Sequence, residues 1–271
     1  MAKQPPGAPP PPVVQRVRLR YTKRGRLRFT SHRDIARVFE RALRRAEVPM
    51  AFSAGFSPHP RISWVGAAAT GVASEAEYVE IALAVACDPE QLRRALDAAL
   101  PDGIDVVDAV VATPASSLPD LVQASSWSIR LPGAPVAEVE QAARLFLDAD
   151  AVEVERMTKN GRRAFDARAA VVAMTVGETD GCAILTLVVQ HVTPAVRPDD
   201  VLTGLRSVGG LATPVPPAAT RLAQGPLTAD REVADPLAPD RVAAGTSGRH
   251  GALGATRQVD EVDGGAEQGP P

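Results

Sequence analysis

The chain is short of aromatic residues, cysteine and histidine, and each shortage narrows what it can be. Aromatics make up 4% of its 271 residues, so a surface that stacks bases has few rings to draw on. The two cysteines, Cys87 and Cys182, stand far apart with no second cysteine near either. A disulfide framework, a zinc site built on CxxC and an iron–sulfur triad are therefore excluded. Four histidines are too few to suggest a metal centre, and neither a metal nor a cofactor is expected. No run of about 18 apolar residues occurs, so no membrane span is expected. The N-terminus has no apolar signal-peptide core, and the expected location is the cytoplasm.

Proline and glycine are abundant, at 25 and 21 residues, and unevenly spread. Residues 1–15 open with MAKQPPGAPPPP, which favours extended polyproline structure and packs no core. Residues 225–271 are mostly Gly, Ala, Asp and Pro with hardly a bulky apolar side chain, so a disordered acidic tail is expected. The chain's 45% hydrophobic content suffices for one or two ordinary cores.

A net charge of −2 conceals a strong asymmetry. From Arg16 to Arg61 thirteen Lys and Arg face three acids, Asp34, Glu40 and Glu47, a balance of +10 that leaves −12 for the remainder. Such a segment suits a polyanion.

Patterning predicts an α+β protein of two ferredoxin-like (split βαβ) units between disordered tails. Residues 16–115 form the first. Arg16–Tyr21 alternates as a half-buried strand. Ser31 and Asp34 fit a capping box that opens a helix running to about Glu47, ended by Pro49. Strands at Arg61–Gly66 and Glu77–Val85, a helix from Pro89 and a strand at Gly103–Val111 complete the order β-α-β-β-α-β. Residues 120–224 repeat part of this plan. Trp127–Leu131 is a strand and Val136–Leu147 a helix. A strand at Val152–Met157 turns at Lys159-Asn160-Gly161, strands follow near Phe165–Thr175 and Ala183–Gln190, and Pro198-Asp-Asp opens a helix.

Two stretches, SHRDIARVFERALRRAEVPMAFSAGFSPHPRISW (31–64) and GVASEAEYVEI (71–81), carry a resemblance. The serine–histidine opening, the E-R-A-L-R-R helix, the G-F-x-P-H-P-R loop and the later E-x-E-Y resemble, in the same order, the radical-SAM-linked domain of unknown function. VRPDDVL is a weaker match further on, and the resemblance runs from about Arg16 to Leu222. That domain occurs alone or joined to the C-terminal side of cobalamin-binding radical-SAM proteins. The resemblance implies an accessory role beside a radical-SAM enzyme, in RNA modification or RNA metabolism. The radical-SAM cysteine triad is absent from this chain, and no complete catalytic constellation is visible in it.

Three groups of residues are candidates for binding. On the helix, Arg33, Arg37, Arg41 and Arg45 recur every four residues, with Arg44 beside them; the row is either a solvated basic face or an anion surface. Like charges at that spacing cost a helix roughly 0.2–0.5 kcal/mol per pair. On the first strand, Arg16, Arg18 and Arg20 should lie on the sheet face opposite the helices, near Tyr78 and Glu80. There they could neutralise an RNA backbone, unless a second domain covers them. Tyr78 is the one ring expected there.

The third group centres on His59, held between Pro58 and Pro60 and followed by Arg61. The prolines impose a stiff, extended presentation of the imidazole. His59 is then a corner, a ligand contact, or one member of a catalytic pocket with His32, Glu75 and Glu77. Topology suggests that Phe56–Arg61 packs beside the helix start, with His59 within about 12 Å of Ser31–Arg33, forming a pocket for one phosphate or carboxylate. His191 reads as a strand-end residue, His250 as part of the tail, and Lys159-Asn160-Gly161-Arg162-Arg163 as a basic hairpin tip. Two functions follow: RNA binding through Arg16–Arg61, or a substrate-binding or catalytic subunit of a radical-SAM partner.

Overall fold

Alternation sets the first strand. In β1 (Gln15–Lys23) Val17, Leu19 and Tyr21 are buried against helices, while Arg16, Arg18 and Arg20 point the other way. The computed structural model describes residues 10–114, 117–158 and 161–250, with side chains to 244. Two helices cover the apolar face of β1: α1 (His32–Arg45) through Ile35, Phe39, Ala42 and Leu43, and α2 (Pro89–Ala99) through Leu92 and Leu96. With β2 (Ile62–Val65), β3 (Ala73–Leu83) and β4 (Val106–Val111), the chain follows the predicted order. β1 pairs antiparallel with β3 and β4, and β2 pairs antiparallel with β3.

A short helix, α3 (Leu118–Leu121), leads into the second half. Here β5 (Ala124–Leu131), β8 (Val171–Thr179) and β9 (Cys182–Gln190) pair antiparallel under α4 (Val136–Asp148) and α5 (Pro198–Gly209). The strand expected at Phe165–Thr175 is two strands, because a 3-10 turn at Arg168–Ala170 interrupts it. Its first part, β7 (Gly161–Asp166), pairs with β6 (Glu153–Thr158) in a hairpin apart from the main sheet. Lys159 and Asn160, at the expected turn, lie outside the described residues.

The two halves do not stand as separate sheets. β10 (Ala218–Gly225), which AATRLAQG does not announce by any alternation, slots between β3 and β5. The result is one eight-stranded sheet in the order β4-β1-β3-β10-β5-β9-β8, with β2 on β3. β10 joins β5 along its length but touches β3 in parallel only at Thr220↔Ala73 and Arg221↔Ser74.

Side chains hold that short joint. β3 slips register against β1, pairing Tyr21 with Glu77 but Lys23 with Ser74. A bulge of this kind turns both partners to the same face. Arg221 reaches across to ion-pair with Glu77 and to donate to Ser74 Oγ at 3.3 Å, and Gln224 donates to the Ala76 carbonyl at 2.6 Å. Glu77 also accepts from the Ala68 N–H at 2.9 Å, and Lys23 donates to the Ala68 and Ala69 carbonyls at 3.4 and 3.1 Å. All these side chains are buried. One carboxylate thus faces two cations, and burial lowers the Lys23 pKa.

The segment from Gly225 also differs from expectation. Residues 226–244 fold back over the arginine-bearing face of β1 and β3 and end in α6 (Ala238–His250). An apolar anchor, a carboxylate and an arginine hold it. Leu237 is buried with Val65, Ala76, Tyr78, Val110, Leu118 and Val122. Asp240, fully buried, accepts from Arg18 at 2.8 Å and from the Thr113 N–H and hydroxyl at 2.9 and 2.8 Å. Arg241 adds ion pairs to Asp108 and Asp235. Residues 1–9 and 251–271 of the expected tails lie outside the described residues.

Removing one partner of a buried ion pair strands the other, at about 3–5 kcal/mol. Glu77→Ala leaves Arg221 and Lys23 buried without a carboxylate, and chemical denaturation should show a loss of that order. A loss below about 1 kcal/mol would mean that the joint does not depend on the pair.

Candidate nucleic-acid interface

The helix row survives as a surface. Ser31 caps α1: its Oγ accepts from the Asp34 N–H at 3.3 Å and donates to the Asp34 carboxylate at 2.7 Å. With Ile35, Phe39, Ala42 and Leu43 turned inward, the 3.6-residue period puts Arg33, Arg37, Arg41, Arg44 and Arg45 in solvent. Their pairings are sparse. Arg37 meets Asp34 at 3.3 Å, Arg44 meets Glu40 at 4.0 Å, and Arg45 donates to the Ala99 carbonyl at 3.4 Å. Arg33 and Arg41 have no hydrogen-bond or ion-pair partner among the described residues. Exposed pairs of this kind hold about 0–1 kcal/mol, so the row remains available to an incoming anion.

The strand row does not. Arg16, Arg18 and Arg20 lie on the predicted face, opposite Ala82, Glu80 and Tyr78 respectively. But Arg18 is 2% exposed, bonded to Glu80 at 3.0 Å and Asp240 at 2.8 Å. Arg20 is half-buried and donates to the Glu75 carbonyl at 2.9 Å. Only Arg16 reaches solvent, paired with Glu80 at 3.1 Å, beside a groove of about 610 Å³ lined also by Ser63, Val111 and Thr113. Tyr78 is buried. What covers this face is the chain's own segment, so Arg18 is a structural ion-pair partner and not a phosphate ligand.

The proposed gathering of His32, His59, Glu75 and Glu77 does not occur. His32 sits at the start of α1 with its ring edge-on to Trp64, centroids 5.3 Å apart. Glu77 is consumed at the joint, and Glu75 ion-pairs with Arg24. His59 closes a small hairpin: its N–H donates to Ser53 Oγ at 3.0 Å, its carbonyl accepts from the Ser53 N–H at 2.9 Å, and Phe52 bridges Pro60. That hairpin leaves β2 at its N-terminal end, where Arg61 hydrogen-bonds Ala51 and Ala82, whereas Trp64 and His32 lie towards the other end. At about 3.3 Å per extended residue, five steps put Trp64 and His59 at most roughly 17 Å apart. His59 and Arg61 are exposed, and the backbone bonds of His59 stay within its own hairpin.

Sequence reading missed the exposed rings. Phe29, Phe52 and Phe56 are 59%, 42% and 67% exposed. Phe29 ends the basic 3-10 turn Gly25–Phe29, just before α1, and the Arg28 guanidinium lies over its ring at 4.7 Å. Ring identity alone does not foretell exposure, but all three lie outside every periodic segment, and that was the available signal.

One pair resembles a nucleophile and its base. His191 Nδ1 donates to the Val122 carbonyl at 2.9 Å, which leaves Nε2 to accept from Ser125 Oγ at 2.7 Å. Ser125 is only 1% exposed, so its oxygen has no approach for a substrate and the pair ties β9 to β5. Among the described residues, no three His, Cys, Asp or Glu side chains converge as a metal site, and no helix is long and apolar enough to cross a membrane.

The fold and the basic helix define an α+β protein of one mixed sheet with an arginine-lined face. Residues 16–198 match the family described as uncharacterized proteins conserved in bacteria (DUF2344), and the chain belongs to that family. No curated protein matches. Two solved structures align over most of their length: an unknown protein from Galdieria sulphuraria and the encapsulated DyP-type peroxidase from Mycobacterium smegmatis. The first is 14% identical over 76% of this chain and 98% of that one, with a TM-score of 0.23. The second is 10% identical over 82% and 93%, with a TM-score of 0.19. Likenesses that low carry no argument.

Burial lowers the His191 pKa, with the bond to Val122 opposing. As pH falls, the unfolded chain therefore takes up this proton before the folded one does. The contribution is intact above the unfolded value of about 6.5 and is lost below it. Denaturant midpoints should drop between pH 7 and pH 5.5, and the drop should shrink in His191→Gln. An unchanged drop in the variant assigns it to other groups.

Proposed function

We propose that this chain is an accessory protein that binds RNA through the outer face of α1 and the basic turn before it. The observation that carries the reading is the contrast between the two arginine rows. The fold spends Arg18 and Arg20 internally, yet it leaves Arg33, Arg37, Arg41, Arg44 and Arg45 exposed with few carboxylates near them. A helix that tolerates like-charge repulsion along its length gains nothing in stability from doing so. The charge suits a polyphosphate partner better than a mixed protein surface. The resemblance to radical-SAM-linked domains supports a place in the cytoplasm beside a radical-SAM enzyme, which would bring the cluster chemistry that this chain's cysteines cannot. A catalytic pocket around His59 gains no support from the geometry.

If about four phosphates are neutralised, binding should fall roughly 50-fold between 50 and 200 mM salt, at about −0.7 in the logarithmic slope per contact on a single strand. Replacing Arg33, Arg37 and Arg41 together by Ala should flatten that slope by about 2 while leaving α1 folded, since Ala favours helix. Absence of binding at 50 mM salt in an RNA titration by fluorescence anisotropy refutes the reading.

A further inference from the structure

We propose that the RNA this surface takes is single-stranded, its unpaired bases stacking on Phe29 at one end of α1 and on Phe56, with Phe52, at the other. The proposal rests on the reading above that α1 binds RNA, and it adds which kind. The chain has only six Phe, two Trp and two Tyr. Burying such rings is among the largest contributions a core can receive, yet three of the six phenylalanines stay in solvent. All three flank the basic helix in sequence: Phe29 lies three residues before its first residue, and Phe52 and Phe56 lie in the hairpin that follows it.

Each ring is set for stacking and against collapse. Arg28 covers one face of Phe29 at 4.7 Å, and its buried Nε has no hydrogen-bond partner among the described residues. A guanidinium over one face of the ring leaves the other face for a base, with a positive charge beside it to attract a phosphate. Phe56 projects from a hairpin whose base is closed by the Phe52–Pro60 bridge and the Ser53–His59 bonds. That closure stiffens the hairpin while its tip stays exposed.

Between the platforms runs the arginine row. Fourteen helical residues at 1.5 Å each span about 20 Å, so a strand of several nucleotides can lay phosphates along the row and bases at its ends. A duplex cannot do this: its bases are paired inward, and A-form RNA offers proteins its backbone, 2′-hydroxyls and shape. An acidic peptide would satisfy the arginines but has no planar groups for the rings.

The test uses the full chain at 50 mM salt with three labelled probes: a 12-nucleotide single strand, its blunt duplex, and an abasic strand of the same length. The single strand should bind at least tenfold tighter than either of the others. Phe29→Leu and Phe56→Leu keep an apolar side chain at an exposed position, so folding is preserved. Each should weaken single-strand binding about fivefold or more without changing the salt slope, whereas the arginine variants flatten the slope. Equal affinity for strand and duplex, or leucine variants that bind the strand unaltered, overturns the single-strand proposal and leaves RNA binding standing. Competition by polyglutamate as effective as competition by unlabelled strand also overturns it. Failure to bind any probe overturns the reading on which it rests.

Discussion

The two halves of this fold meet around one buried ion pair, Arg221 with Glu77. β3 and β10 share only two paired residues, far too short a ladder to fix one half against the other. Arg221 and Glu77 supply what the ladder lacks, with Ser74, Gln224 and Lys23 placed around them by the register slip in β3. Desolvating a carboxylate and two cations is expensive, and the Coulombic return recovers it only when the remaining donors and acceptors are satisfied. That condition explains the neighbours. The Ala68 N–H fills one lone pair of Glu77, and two backbone carbonyls take the Lys23 ammonium. The polar cluster ties β10 to β3 at one alignment, the one in which Arg221 meets Glu77 and Ser74 and Gln224 meets Ala76.

The same logic of consumed charge decides where a polyanion can bind. In four-stranded RNA-recognition sheets the face away from the helices stacks bases, and the β1 arginines lie on the corresponding face here. Here Leu237 and Asp240 close it from within the chain, and Asp240 occupies Arg18 as a phosphate would. Buried carboxylates neutralise the strand row, so the surplus positive charge of residues 16–61 is displayed on the other side of the domain, along α1. Charge asymmetry in sequence thus becomes a surface only after internal pairing is subtracted.

Most of the element plan was legible because it rests on local periodicity. The two-residue alternation of Arg16–Tyr21 and the spacing of Ile35, Phe39, Ala42 and Leu43 fix β1 and α1 without reference to the rest of the chain. What was not legible depends on distant partners. AATRLAQG has no alternation of its own; it is a strand because its backbone pairs along β5, with Gln224 and Arg221 finding partners in β3. The tail from Gly225 has few apolar residues, yet Leu237 packs into an apolar cluster and Asp240 and Arg241 find partners on the sheet. The arginines of β1 were placed on the correct face, and their neutralisation was invisible because Asp240 lies 222 residues away from Arg18. For His59 the proline pair left corner, ligand contact and pocket open, because the direction of the hairpin depends on its pairing with Ala51 and Ala82.

Exposed phenylalanine follows from a different balance. A core built mainly of Ala, Val, Leu and Ile packs small volumes, and the sites it leaves for rings are few: Tyr21, Phe39 and Trp64 crowd edge to face within 6.0 Å of one another under α1. That cluster, with His32 leaning on Trp64, anchors the N-terminal half of the helix rigidly to the sheet. A rigid helix fixes the spacing of its outer arginines, and the short turn that precedes it fixes Phe29 relative to Arg33. Cations on a flexible loop must lose conformational freedom when they bind; cations on a helix pinned by three rings have already lost it. On the proposed reading, the aromatic residues under α1 and those beyond its ends serve one surface, the first by holding the row straight and the second by offering flat faces where it stops.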